Sequence, residues 1–144
     1  ASGVIEDVRV TDPYSIYSRF DFGIPVGSNG DCWDRYYVRV EEMRESIKIV
    51  EQAISDIPDG DISAKVRRII RPPVGEVFVR TESPRGDLGV FLVSDGSDKP
   101  YRVKVRPPSF ANLQALEYML EDTYIADAVL VLGSIDIIMG EVDR

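Results

Sequence analysis

The stretch Asp31-Cys32-Trp33-Asp34-Arg35-Tyr36-Tyr37-Val38-Arg39-Val40 opens the clearest periodic pattern in the chain. From it, Trp33, Tyr36, Tyr37, Val40, Met43, Ile47, Val50 and Ile54 recur at spacings of three and four, which makes one continuous apolar stripe on a helix. Asp31 is a natural N-cap, and Pro58 with Gly60 stops the pattern, so a long amphipathic helix is predicted over residues 31–57. The opposite face carries Arg39, Glu42, Glu45, Lys48 and Glu51. Two readings follow. Either the stripe faces a core and the charged side is a solvated back, or the aromatic end of the helix packs on a partner subunit.

Before this helix, residues 1–30 read as irregular or extended. They mix Pro13, Pro25, Gly23, Gly27 and Gly30 with Tyr14, Tyr17, Phe20 and Phe22, and such a segment needs a surface to lie on. After it, Lys65, Arg67, Arg68 and Arg71 make a basic loop that ends at Pro72-Pro73. Strands are expected at 75–81, 89–93 and 101–106, inside a small antiparallel sheet over 74–106; the last strand alternates cleanly. Asp95-Gly96 begins the turn between the second and third strands. Residues 109–144 are read as C-terminal helices and tail. Ser109 is the expected cap of a helix to Glu121, with Phe110, Leu113, Leu116 and Leu120 inward. A second apolar helix is expected over 125–132, interrupted by Gly133-Ser134. The order helix, strands, helices gives an α+β class.

Composition narrows the chemistry. A chain of 144 residues is one ordinary domain. Its net charge of −8 disfavours a nucleic-acid partner, because the phosphate backbone is recognised by cations. There is no histidine and a single cysteine, Cys32, so nucleophilic triads, histidine metal sites and internal disulfides are excluded. Cys32 is either a thiol activated near a helix N-terminus or a small, buried, inert side chain. No iron–sulfur ligand set, phosphate loop or dinucleotide fingerprint is present. No leader is expected, since residues 1–10 carry acids and no apolar run. The longest apolar stretch, 128–135, lies between Asp127 and Asp136, well short of the roughly 20 residues that a spanning helix requires.

The segment Gly27-Ser28-Asn29-Gly30-Asp31-Cys32-Trp33-Asp34-Arg35-Tyr36, leading into Glu41-Glu42-Met43-Arg44, resembles a family signature, G-x-N-G-D-C-x-D-R-Y…E-E-M-R. The family is that of the D-type large subunit in the peripheral arm of proton-pumping NADH:quinone oxidoreductase (complex I). Trp33 stands where that family usually has tyrosine. The resemblance continues through Glu82-Ser83-Pro84-Arg85-Gly86, Pro108-Ser109-Phe110-Ala111-Asn112-Leu113, Gly133-Ser134-Ile135-Asp136 and Gly140-Glu141-Val142-Asp143-Arg144. It implies a C-terminal fragment covering 1–144 that begins in mid-subunit, without the family's quinone-contacting histidine and tyrosine.

The same resemblance extends to the large subunit of nickel-iron hydrogenases and implies part of that fold. Hydrogenase large subunits end near D-P-C-x-x-C-x-x-H. Here the aspartate matches Asp136, the cysteine positions hold Ile138 and Glu141, and the histidine position holds Arg144. The soft thiolate ligands are gone, which argues against a hydrogenase and for the quinone-reducing branch. By resemblance, Arg85, Asp136 and Arg144 are the quinone-cavity candidates. Their plainer readings are a turn residue for Arg85, between Pro84 and Gly86, and a cap or turn acid for Asp136. Asp31, Cys32, Asp34 and Arg35 form the structural motif that ties loop to helix.

The implied function is quinone reduction in the assembled complex, with no catalytic residue, metal or cofactor on this chain and no activity from it alone. NADH, quinone and iron–sulfur clusters belong to the parent complex. Implied partners are the other peripheral-arm subunits and the missing N-terminal half. Membrane contact comes only through them, on the cytoplasmic side. Self-association of the fragment is expected through its uncovered apolar surfaces. The alternative is a structural or assembly module with no direct quinone contact.

Overall fold

The computed structural model describes residues 1–143. The chain is α+β. Short helix α1 (Val8–Thr11) precedes the long α2 (Cys32–Ser55). A three-stranded sheet follows, with β1 (Gly75–Ser83), β2 (Gly86–Ser94) and β3 (Arg102–Arg106). Four short helices close the chain: α3 (Pro108–Asn112), α4 (Leu116–Leu120), α5 (Ala128–Ile135) and α6 (Met139–Asp143). Single 3-10 turns lie at Tyr17–Arg19, Leu113–Ala115 and Ile125–Asp127. Residues 1–30 are therefore irregular but not featureless.

The sheet is antiparallel throughout, in the order β1-β2-β3. Val79 faces Val90, and Val90 faces Val105. The β1–β2 hairpin closes with Ser83 opposite Gly86, so Pro84 and Arg85 form its corner. Proline presets the first corner position, and Gly86 takes φ +126, a left-handed value that a side chain would resist.

Helix α2 begins where expected. The Asp31 carboxylate accepts the Asp34 N–H at 2.7 Å. Its faces are used the other way round from the core-facing reading. The apolar stripe is open: Trp33 is 65% exposed, Ile54 is 66% exposed, and Tyr36, Tyr37, Met43, Ile47 and Val50 are also exposed. The side expected to be a solvated back grips the chain's own N-terminal segment. Gln52 Oε1 accepts the Asp21 N–H at 2.8 Å, Glu45 Oε2 accepts the Gly23 N–H at 2.7 Å, and Asp34 Oδ2 accepts the Asn29 N–H at 2.7 Å. Residues 21–29 thus run antiparallel to the helix, with the backbone donors of Asp21, Gly23 and Asn29 satisfied by its polar side chains. The Gly23 N–H, followed by the Lys48 ammonium, holds the Glu45 carboxyl below its ordinary pKa.

Several expectations for the C-terminal part are corrected. Helix 109–121 is not continuous: a 3-10 turn at Leu113–Ala115 separates α3 from α4. Ser109 does not cap it. The flanking residue is Pro107, Pro108 occupies the first turn, and Ser109 is fully buried with its hydroxyl turned to Glu141. Nor is Phe110 inward; it is exposed. Gly133-Ser134 does not interrupt the following helix. Helix α5 runs on to Ile135, and Ser134 Oγ turns back to donate to the Val131 carbonyl at 2.6 Å.

The buried apolar core is small, comprising Val8, Val131 and Ile135 among the described residues. The accessible surface is 11103 Å². A compact monomer of 16.1 kDa exposes about 7,400 Å². The chain therefore presents about half again as much surface as a self-contained domain, with many large apolar side chains exposed on it. Among the described residues, no helix is long and apolar enough to cross a membrane.

Candidate functional site

Arg85 and Asp136 are 51 residues apart in sequence and meet in space. Arg85 stands at the β1–β2 corner, and its side chain is 19% exposed. Its Nε–H donates to the Asp136 carbonyl at 2.7 Å, and its Nη2 lies 3.4 Å from Asp136 Oδ2. Asp136 is the C-cap of α5 and adopts the left-handed conformation, φ 57 and ψ 48. Among residues other than glycine, aspartate and asparagine tolerate this region best. Its carboxylate, 47% exposed, stays open to a second partner. Both plainer readings, turn residue and cap acid, describe the local geometry. Arg144 lies outside the described residues.

The structural motif reaches the same place from the other side. Arg35 Nη1 donates to the Gly30 carbonyl at 2.6 Å, and its Nε donates to Ser134 Oγ at 2.8 Å. Arg39 Nη2 donates to the Ser134 carbonyl at 2.5 Å. Arg39 and Arg85 thus satisfy the last carbonyls of α5, where a helix leaves acceptors unpaired and favours cations. Cys32 is half-buried, not buried, and its Sγ accepts Arg35 Nη2–H at 3.3 Å. Asp34 is 8% exposed and bonds both the backbone and the side-chain amide of Asn29. A Cβ on Gly27 would lie 2.7 Å from Asp34 Oδ2, so only glycine lets the loop come this close.

A short helix supports the pair from below. Asn112 Nδ2 in α3 donates to the Arg85 carbonyl at 3.0 Å. From the same helix, Ser109 holds Glu141 of α6. Ser134, Arg39, Asn112, Ser109 and Glu141 all support the site, and reading the sequence gives none of them this role. Only their places in neighbouring motifs hint at it, because each partner is far away in the chain.

Beside the corner, Glu82 shares a crowded region with Asp7, Arg9 and Glu42. Arg9 donates to Asp7 through Nη2 at 2.6 Å and Nε at 3.0 Å, with its guanidinium 4.8 Å from the Phe22 ring centre. Burial, then the Asp7 charge, pushes the Glu82 carboxyl above its ordinary pKa, while Arg9 opposes the shift. Tyr14 Oη accepts the Glu82 N–H at 3.0 Å. No group of three or more histidine, cysteine or acidic side chains among the described residues is arranged to hold a metal ion.

A family sequence model, described as respiratory-chain NADH dehydrogenase, 49 Kd subunit, matches residues 1–73 and 65–144. The chain is 56% identical over 144 residues to the D-type subunit of NADH-quinone oxidoreductase from Dehalococcoides mccartyi, covering all of this chain and 39% of that protein. Against the D-type subunit from Carboxydothermus hydrogenoformans it is 54% identical over 143 residues, and against that from Bacillus cereus 56% identical over 143 residues. Each of these two matches covers 99% of this chain and 39% of the relative. The chain spans well under half the length of these curated relatives. The match runs through the cap, the hairpin corner and the α5 terminus, and so the chain belongs to the respiratory-chain NADH dehydrogenase 49 Kd subunit family.

Proposed function

We propose that the chain is the C-terminal part of a quinone-reducing subunit of complex I, and that Arg85, Asp136 and Arg144 line its quinone cavity. The observation that carries this is the Arg85–Asp136 contact. It joins two of the segments that the family resemblance assigns to the cavity. A guanidinium held beside an open carboxylate presents a donor and an acceptor to a carbonyl-bearing ring. In this reading electrons from NADH arrive through iron–sulfur clusters on a neighbouring subunit, and the redox chemistry is that of the bound groups. This chain contributes positioning and electrostatics, binds no cofactor itself and is inactive alone. The relationship to nickel-iron hydrogenases belongs to the same proposal, with Ile138 and Glu141 where thiolates would stand.

The partners are the N-terminal remainder of the subunit and other peripheral-arm subunits, at the cytoplasmic side of the membrane, which the chain meets only through them. The large exposed surface and the open α2 stripe support covering by such partners. Alone, the chain self-associates through the same faces. Sedimentation should show its mass rising with concentration, and a monomer at high concentration would defeat that expectation. The open stripe also favours the second reading, an assembly module with no quinone contact. A photoreactive quinone analogue irradiated with the intact complex separates the two. Label is expected in peptides carrying Arg85 or residues 136–144. Label confined to other regions leaves only the assembly role.

A further inference from the structure

We propose that Ser109 and Glu141 form a latch that sets the position of Asp136, making Glu141 a positioning residue for quinone. The inference rests on the reading that Asp136 faces the cavity. Ser109 is fully buried. Its backbone N–H donates to Glu141 Oε2 at 3.1 Å, and its hydroxyl donates to the same oxygen. The hydroxyl also accepts the Ile138 N–H at 3.4 Å. One serine therefore fixes two points of the segment that follows Asp136.

Upstream, Ser134 is held by Arg35 and Arg39, and the Asp136 carbonyl is held by Arg85. Asp136 sits between these anchors with φ 57. A left-handed residue other than glycine is strained and persists only where its surroundings fix it. The downstream anchor belongs to α3, and so does Asn112, which holds the Arg85 carbonyl. A single short helix thus braces both members of the Arg85–Asp136 pair and sets the gap between them. Without the latch, Asp136 is free to leave the left-handed region and carry its carboxylate away from Arg85.

The test is steady-state kinetics of the intact complex with a soluble quinone. Glu141→Ala is expected to raise the quinone KM roughly tenfold, with little change in kcat, as loss of a contact made equally in ground and transition states does. Glu141→Gln should restore the KM, because an amide oxygen accepts both Ser109 hydrogens. In an Asp136→Asn background, Glu141→Ala should add little, since both act through one carboxylate. The latch is refuted if Gln and Ala are equally impaired, if the penalties multiply, or if Glu141→Ala leaves KM unchanged while Asp136→Asn raises it. If Asp136→Asn itself leaves quinone kinetics at the wild-type level, the cavity reading fails instead, and the latch as a positioning device falls with it. Should Glu141→Ala fail to assemble, Ser109→Ala keeps the backbone donor and removes the hydroxyl. A smaller KM rise is then expected, and no rise overturns the proposal.

Discussion

Arg85→Ala in the intact complex is expected to lower quinone reduction about a hundredfold, while NADH oxidation by an artificial acceptor stays at the wild-type rate. The guanidinium is mostly withdrawn from water and bonds the Asp136 carbonyl at 2.7 Å. Hydrogen bonds to charged groups contribute roughly 1.5–3 kcal/mol, and each 1.4 kcal/mol or so is tenfold in rate. Alanine also releases the Asp136 carboxylate, so the upper end of that range applies. Arg85→Lys should recover only part of the loss. An ammonium is a point charge and cannot serve the carbonyl and the carboxylate in the same forked geometry. Normal quinone reduction by a fully assembled Arg85→Ala complex would remove Arg85 from the cavity.

The second large effect is on stability. Asp34→Ala should cost about 3 kcal/mol, read as a fall in the urea midpoint of α2 helicity at low chain concentration. Asp34 is buried and accepts two hydrogens from Asn29, at 2.7 and 3.2 Å. Alanine removes two hydrogen bonds to a charged carboxylate, each contributing roughly 1.5–3 kcal/mol, and water at the exposed Asn29 offsets part of that loss. It also opens a gap against Gly27, whose backbone approaches the carboxylate closely. Asp34→Asn retains one acceptor oxygen and should lose less than half as much. A midpoint unchanged by Asp34→Ala would mean that the loop 27–30 is held by its other contacts, such as Arg35 to the Gly30 carbonyl.

What is legible in the sequence is what depends on near neighbours. Asp31 and the three-four spacing after it locate the start and course of α2, because a cap and its helix lie within one turn. Pro84 and Gly86 mark the hairpin corner for the same reason. The direction of the α2 stripe is not legible. Periodicity says that a face will be covered, not by what, and the helix turns its glutamate, glutamine and aspartate side chains to its own chain. Ser109 misleads because a serine before a helical pattern usually caps it. Here Pro107-Pro108 start the helix, and the serine answers to Glu141, 32 residues on. Arg85 and Asp136 can each be singled out from their motifs. Their contact cannot, since nothing local records that a hairpin corner will meet a helix end 51 residues later.

The bonds from Arg35 and Arg39 to Ser134 span 99 and 95 residues. Contacts of such long range form late, after the intervening loop has been closed. During synthesis, α2 is complete long before its acceptors at the end of α5 leave the ribosome. A chain cut short before Ser134 carries two guanidinium groups at the start of its longest helix with these oxygens missing. The site is therefore completed only once Ser134 has emerged, and products truncated before it carry an unfinished junction.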